Sequence, residues 1–265
     1  MPLGPILTEM LKRYGLQSLT QWATDAIVNG LSEAELEVEL FKRPEFKSRF
    51  AGIFMLEATG EPPISIDEYL AFETTAHALA TMWGVKLSKS EVDNLIGNNV
   101  SNVELQARFD LAAEAMFESD DESITELRRM NPLVGHGELI RYFMNPKEEF
   151  GKMQASWRQA QIAGAALRTG WGRLTDIQAQ RLQEVGLDKN SATEGFTRLA
   201  EMDEIFEDFG PEDEEIGADV QVEALAGSVE AQETIERKQR KRIAEFEGGG
   251  GFAAGRQGFA AGEAE

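Results

Sequence analysis

The chain has 265 residues, enough for one large domain or two modest ones. Its 42% hydrophobic and 28% charged residues describe a folded globular protein, and its formal net charge of −21 argues against binding nucleic acid through the general surface. The absence of cysteine excludes disulfides, thiolate metal sites and a cysteine nucleophile.

No apolar run reaches the roughly 18–20 residues of a membrane-spanning helix. The first ten residues, MPLGPILTEM, have neither a basic segment nor a long apolar one, so no signal peptide is expected. The dominant local signal is the capping box, Ser or Thr followed three residues later by Glu or Gln. It occurs at Ser32/Glu35, Ser65/Glu68, Ser88/Glu91, Ser101/Glu104, Ser123/Glu126, Thr175/Gln178 and Ser191/Glu194. Helix-period apolar residues follow each start, and no stretch alternates as a strand would. The expected class is all-α: a multi-helix globular array around a long central helix, with a C-terminal helix and an extended Gly-rich tail.

In chain order, residues 6–13 form a short helix broken at Tyr14-Gly15. Residues 18–29 form a second, with Leu19, Trp22, Ala23, Ala26 and Ile27 inward and Gly30 as its stop. A third covers 32–41 and ends at Lys42-Arg43-Pro44, because proline disfavours a helical residue before it; 45–50 is a candidate for one more turn. Glu61-Pro62-Pro63 is a stiff connection. Residues 65–83 follow, with Tyr69, Phe72, Ala76, Leu79 and Trp83 on one stripe, then 88–96, and then 101–117 with Val103, Ala107, Leu111, Ala115 or their neighbours inward. Residues 118–122 read as a solvated acidic turn, and short helices cover 124–130 and 137–144.

The expected central helix spans 145–172. Asn145 is its N-cap, Pro146 stands at the first helical position, and Gly170-Trp171-Gly172 is the stop. Phe150, Met153, Trp157, Ala160, Gly164, Leu167 and Trp171 form its seam, with Ala160 and Gly164 small enough for another backbone to come close. A helical pair at 175–185 and 191–206 follows, then an acidic linker. The last helical stretch starts near Ile216, pauses at Gly227-Ser228 and resumes through 247. The segments drawn on this basis are 1–60 (N-terminal helical subdomain), 61–210 (main helical domain), 211–247 (acidic linker and C-terminal helix) and 248–265 (Gly/Phe tail).

Catalytic signatures are absent. His77 lies mid-helix and His136 in a Gly135-His136-Gly137 turn, and neither has a second histidine at ligand spacing. Asp203, Asp208, Asp213 and Asp219 do not fall at the ligand spacing of a calcium loop. There is no phosphate-binding glycine loop and no nucleophile elbow. With 47 acidic residues, an acid/base pair chosen by eye carries no information. No cofactor or metal is expected, and the protein is expected not to be an enzyme.

Two features remain. The basic run Arg237, Lys238, Arg240, Lys241 and Arg242 fits a helix C-terminus, where cations complement the dipole. It equally fits a docking patch for an acidic partner, and it is the only place where nucleic acid could bind. The tail duplicates Gly-Phe-Ala-Ala-Gly at 251–255 and 258–262. It reads either as a frayed end or as a docking peptide anchored by Phe252 and Phe259 with Arg256 between them.

Four stretches carry a family likeness: 14–50 (YGLQSLTQWATDAIVNGLSEAELEVELFKRPEFKSRF), 160–172 (AQIAGAALRTGWG), 179–200 (AQRLQEVGLDKNSATEGFTRLA) and 237–262 (RKQRKRIAEFEGGGGFAAGRQGFAAG). In these the chain resembles helical virion structural proteins of tailed bacteriophages, of the kind found in phages of actinobacteria and other environmental bacteria. The resemblance implies a particle component, tail-associated or packed inside and delivered with the genome. It would be present in several copies among portal, tail or capsid proteins, in a virion assembled in the host cytoplasm. The alternative from a different class is a transient assembly scaffold or chaperone for the capsid; a wall-cleaving enzyme is the third.

Overall fold

The structure, a computed structural model, describes residues 5–132, 139–206 and 216–249. The chain is all-α, with no strand among the described residues. In order the helices are α1 (Pro5–Arg13), α2 (Thr20–Val28), α3 (Glu33–Lys42), α4 (Pro44–Arg49), α5 (Ala51–Ala58), α6 (Ile66–Met82), α7 (Lys89–Gly97), α8 (Asn102–Ala113), α9 (Asp121–Met130), α10 (Leu139–Phe143), α11 (Phe150–Arg168), α12 (Asp176–Glu184), α13 (Lys189–Glu201), α14 (Asp203–Phe206), α15 (Ala218–Leu225) and α16 (Val229–Gly249). A 3₁₀ turn, Gln17–Leu19, leads into α2, and a π turn, Glu114–Glu118, extends α8. The chain divides into two compact units, Met1–Glu118 with His136–Met153 and Ser119–Gly135 with Gln154–Glu265.

One joint between helices occurs three times in register. It begins with a nine-residue helix: α2, α7 or α12. A C-cap follows, then a residue with positive φ: Gly30 at 96°, Asn99 at 58° or Gly186 at 81°. The next residue is apolar, and its N–H reaches five residues back: Leu31 to the Ala26 carbonyl, Val100 to Leu95 and Leu187 to Leu182, each at 3.1 Å. That bond is the Schellman closure, which satisfies a carbonyl the helix end would leave open. An N-cap follows immediately, Ser32, Ser101 or Asp188, and its side chain accepts the N–H three residues on. Leu36, Leu105 and Ala192, and then Leu40, Phe109 and Phe196, are buried at matching places in the second helix.

The capping boxes form reciprocally at Ser32, Ser65, Ser88 and Thr175. At Ser101 only the serine half forms, because Glu104 turns to Arg108. The starts expected at Ser123 and Ser191 are displaced. Asp120 and Asp188, three residues earlier, cap α9 and α13 instead, and each carboxylate accepts from the serine N–H at 2.8 Å. A carboxylate there also complements the helix dipole, which a hydroxyl does not.

In the first unit the Glu61-Pro62-Pro63 connection is internal, and α5 and α7, on either side of it, pack most closely. A Cβ on Gly52 would stand 2.9 Å from the Asp93 carbonyl, and one on Gly97 would stand 2.6 Å from Met55 Cβ. On α8 the inward face is Leu105, Arg108, Phe109 and Ala112. Ala115 is buried as expected, Val103 is 81% exposed, and the other inward places fall to neighbours of the expected residues, one of them a fully buried arginine. Trp83 stacks on the ring of Phe117, 5.7 Å away.

The helix expected from residue 145 begins at Phe150 and is not the longest element; α16 is longer. Asn145 caps a turn instead, its side chain accepting from the Lys147 N–H at 3.2 Å. The seam is otherwise placed as expected, with Met153, Trp157 and Ala160 buried. Ile162, Ala163, Ala165 and Ala166 are buried too, so the C-terminal half of α11 is enclosed nearly all round. Close approach occurs at Gly164, where a Cβ would lie 2.6 Å from both the backbone nitrogen and the Oγ of Ser123. Trp171 donates its Nε1–H to Gln221 Oε1 at 2.6 Å and leans on Phe196.

Gly164→Ala should therefore destabilise the protein by about 1–3 kcal/mol, because backbone rather than a side chain would have to move. Gly195 is the control: a Cβ there meets only the tip of Leu225, at 2.6 Å. Gly195→Ala should fall within about 1 kcal/mol of the unsubstituted protein, the helix-propensity gain offsetting the contact. Urea unfolding followed by circular dichroism compares the two.

Candidate partner-binding helix

The buried charges are the first places to look for chemistry, and those with assigned partners tie helices together. In the first unit Asp93 Oδ1 accepts from Tyr69 OH at 2.7 Å and from the Gly52 N–H at 3.1 Å, and Oδ2 accepts from Lys89 at 2.5 Å. Burial, then the Asp93 carboxylate, pushes the Tyr69 phenol above its usual range, so it stays protonated and holds its bond. Arg49 pairs with Glu73 through two bonds, of 2.6 and 3.0 Å. Arg108, 1% exposed, pairs with Glu104 and donates to the carbonyls of Phe143, Asn145 and Glu148 at 2.9–3.0 Å.

In the second unit Glu126 is fully buried between Arg129 Nε at 2.6 Å and Arg173 Nε at 3.0 Å. Arg129 continues to Asp176 and to the Leu174 carbonyl. Asp120, expected as part of a solvated turn, has its side chain only 15% exposed and ties three helices together. It caps α9 and meets Arg168 of α11 at 2.5 Å and Lys189 of α13 at 3.0 Å. Burial raises its carboxyl, but the Ser123 hydrogen bonds and Lys189 outweigh that and hold it down at about 2.

The remaining sequence candidates are scattered. His77 is exposed on α6, and His136 lies outside the described residues. Asp208 and Asp213 do as well, while Asp219 accepts from Gln178 at 2.7 Å. Among the described residues no group of three or more His, Asp or Glu is placed to hold a metal ion. The charges lining a groove of about 560 Å³ beside Trp22 are already paired, Lys42 with Glu39 inside it and Arg43 with Glu45.

The basic run is therefore the site with surface to offer, and its setting differs from a helix end. It lies in the middle of the 21-residue α16, with no basic residue in the last turn. Its cations therefore stand too far from the helix C-terminus to complement the dipole there. Ser228 caps the start, accepting from the Ala231 N–H at 3.4 Å, and Gln232 donates to the Ala224 carbonyl at 3.0 Å. Ala231, Ile235 and Lys238, one turn apart, make the buried face, and Gln239 reaches Met202. Lys238, 7% exposed, is thus withdrawn from the exposed patch. Arg242 is half-buried, whereas Arg237, Arg240 and Lys241 are exposed on the opposite side, with Arg240 3.5 Å from Glu236. Phe252, Arg256 and Phe259 lie outside the described residues.

No helix among the described residues is long and apolar enough to cross a membrane. Comparison of the chain with protein-family models, with curated proteins and with solved structures finds no match.

Asp120 gives a pH test of the ties in the second unit. Its folded carboxyl titrates below the unfolded one, so its contribution is complete above about pH 4 and is lost as pH falls toward about 2. Asp120→Asn retains a capping oxygen but loses the charge, and should cost about 1–2 kcal/mol at pH 7. Urea midpoints of the two proteins should converge as pH drops below about 3.

Proposed function

We propose that this protein is a non-enzymatic structural component of a tailed-phage virion, tail-associated or internal, acting in assembly and genome delivery. The observation that carries the reading is the use of its buried charges. Arg108, Asp93 and Asp120 are tied by helix caps, backbone carbonyls or opposite charges, and Glu126 is ion-paired with Arg129 and Arg173, although its Oε1 accepts no hydrogen bond. That is how charge serves as a tie between helices, and it differs from an acid and base poised over a substrate cleft. The family likeness in 14–50, 160–172, 179–200 and 237–262 supplies the particle context, with portal, tail or capsid proteins as neighbours and several copies per particle.

The exposed cations of α16 favour a second reading, a transient scaffold or chaperone that touches an acidic surface of the shell protein. Quantitative mass spectrometry on purified particles of the encoding phage, before and after DNA ejection, separates the two. Presence in full particles supports the first reading, and loss on ejection marks an internal, delivered protein. Absence from full particles sinks the first reading in favour of the second.

For the tail, the double variant Phe252→Ser, Phe259→Ser should release the protein from its particle at an unchanged urea midpoint. Retention in particles would rule out these two rings as anchors.

A further inference from the structure

The exposed side of α16 has a pattern that the basic run alone does not describe. Val229, Glu233, Glu236, Arg240 and Ile243 follow a 4-3-4-3 spacing, and all five are exposed. They form one stripe along the helix, opposite the buried Ala231, Ile235 and Lys238. The stripe is acidic in its first half and basic in its second, with Arg237 beside it, and it has an apolar residue at each end. Val229 is 67% and Ile243 56% exposed.

We propose that this stripe is the docking surface for α16 of a second copy of the chain, the two helices running antiparallel about a two-fold axis between Glu236 and Arg237. The proposal is independent of the virion reading. Antiparallel pairing about that axis sets Glu233 beside the partner copy's Arg240 and Val229 beside its Ile243, and it brings the two copies' Glu236 together at the axis with each partner's Arg237 at the same level, flanking the stripe. A two-fold contact must be self-complementary, and this stripe is so in one direction only. Parallel pairing would set Glu233 against Glu233 and Arg240 against Arg240.

The charge of the whole chain points to the same place. Copies carrying −21 repel over most of their surface, but residues 229–249 hold five acidic and five basic side chains. This helix is therefore a neutral strip along which two copies can meet. The Glu236–Arg240 pair within one helix does not compete strongly: its side chains are 65% and 75% exposed, and exposed pairs of this kind contribute little. Nucleic acid is a poorer occupant, because Glu233 and Glu236 lie in the same stripe and would face phosphate. A contact along one helix of this length buries on the order of 1,000 Å², the range of weak association.

Sedimentation of the full chain at about 0.15 M salt should show a concentration-dependent dimer. Glu233→Arg and Arg240→Glu should each give a monomer with unchanged circular dichroism. The double variant Glu233→Arg, Arg240→Glu should dimerise again, since the pair is restored across the axis with its signs exchanged. Because the chain has no cysteine, crosslinking gives a second readout. Glu236→Cys, next to the axis, should form a disulfide-linked dimer on oxidation, and Val229→Cys, about 20 Å from its two-fold mate, should not. A chain monomeric at all concentrations overturns the proposal. So does a dimer indifferent to both charge reversals, or equal crosslinking at the two positions. Duplex DNA binding by a monomer, lost in Arg240→Glu, would also overturn it and assign the stripe to nucleic acid.

Discussion

The fold depends on closing the ends of short helices. Each helix leaves about four N–H groups and four carbonyls without partners inside it. In a nine-residue helix such as α7 or α12 that is nearly half of the backbone polar groups. The threefold joint solves the problem at both ends at once. A left-handed residue and the apolar residue after it close one helix, and the next residue caps the following one. The chain passes from one helix into the next within a few residues while Leu, Val or Leu at the apolar position enters or borders the core. The hydrophobic seams could not meet if these ends were left open, because an unpaired buried backbone group costs about as much as a buried methyl group contributes.

Arg108 answers the same requirement by a different route. The carbonyls of Phe143, Asn145 and Glu148 lie where α10 has ended and α11 has not begun. The Glu148 N–H reaches the Asn145 carbonyl at 3.2 Å, and a guanidinium with five donors in a fixed fork adds bonds to all three carbonyls. Burying the charge is tolerable because Glu104, one turn earlier on α8, stands 2.7 Å away. This contact also sets where α11 starts. With its carbonyl held by Arg108 and its side chain on Lys147, Asn145 is fixed in a turn, and the helix begins only at Phe150.

Features fixed by local chemistry were legible in the sequence, and features fixed by long-range partners were not. The caps at Ser32, Ser65, Ser88 and Thr175 depend on residues three apart, so the spacing alone finds them. At Ser123 and Ser191 the same spacing misleads, because an aspartate one turn earlier is an equally good cap and adds charge to the helix N-terminus. The burial of Arg108 has no local signal at all, since its backbone partners are 35–40 residues away. The basic run shows both cases. Its composition identified α16 as the place with cations, but which cations are exposed depends on the helix phase set by Ala231, Ile235 and Lys238. Reading that phase back from the apolar residues would have separated Lys238 from Arg237 and Arg240.

The three joints also indicate how much latitude such a chain has. Their N-caps are Ser, Ser and Asp, and their left-handed residues are Gly, Asn and Gly. Serine and aspartate both offer an oxygen to the N–H three residues on, and asparagine is the non-glycine residue that tolerates positive φ most readily. Each position thus constrains a physical property rather than an identity. The exception is steric: Gly52, Gly97 and Gly164 lie where a neighbouring element leaves no room for a Cβ. The chain is permissive where a helix end needs only an acceptor or a left-handed turn, and strict where two elements touch.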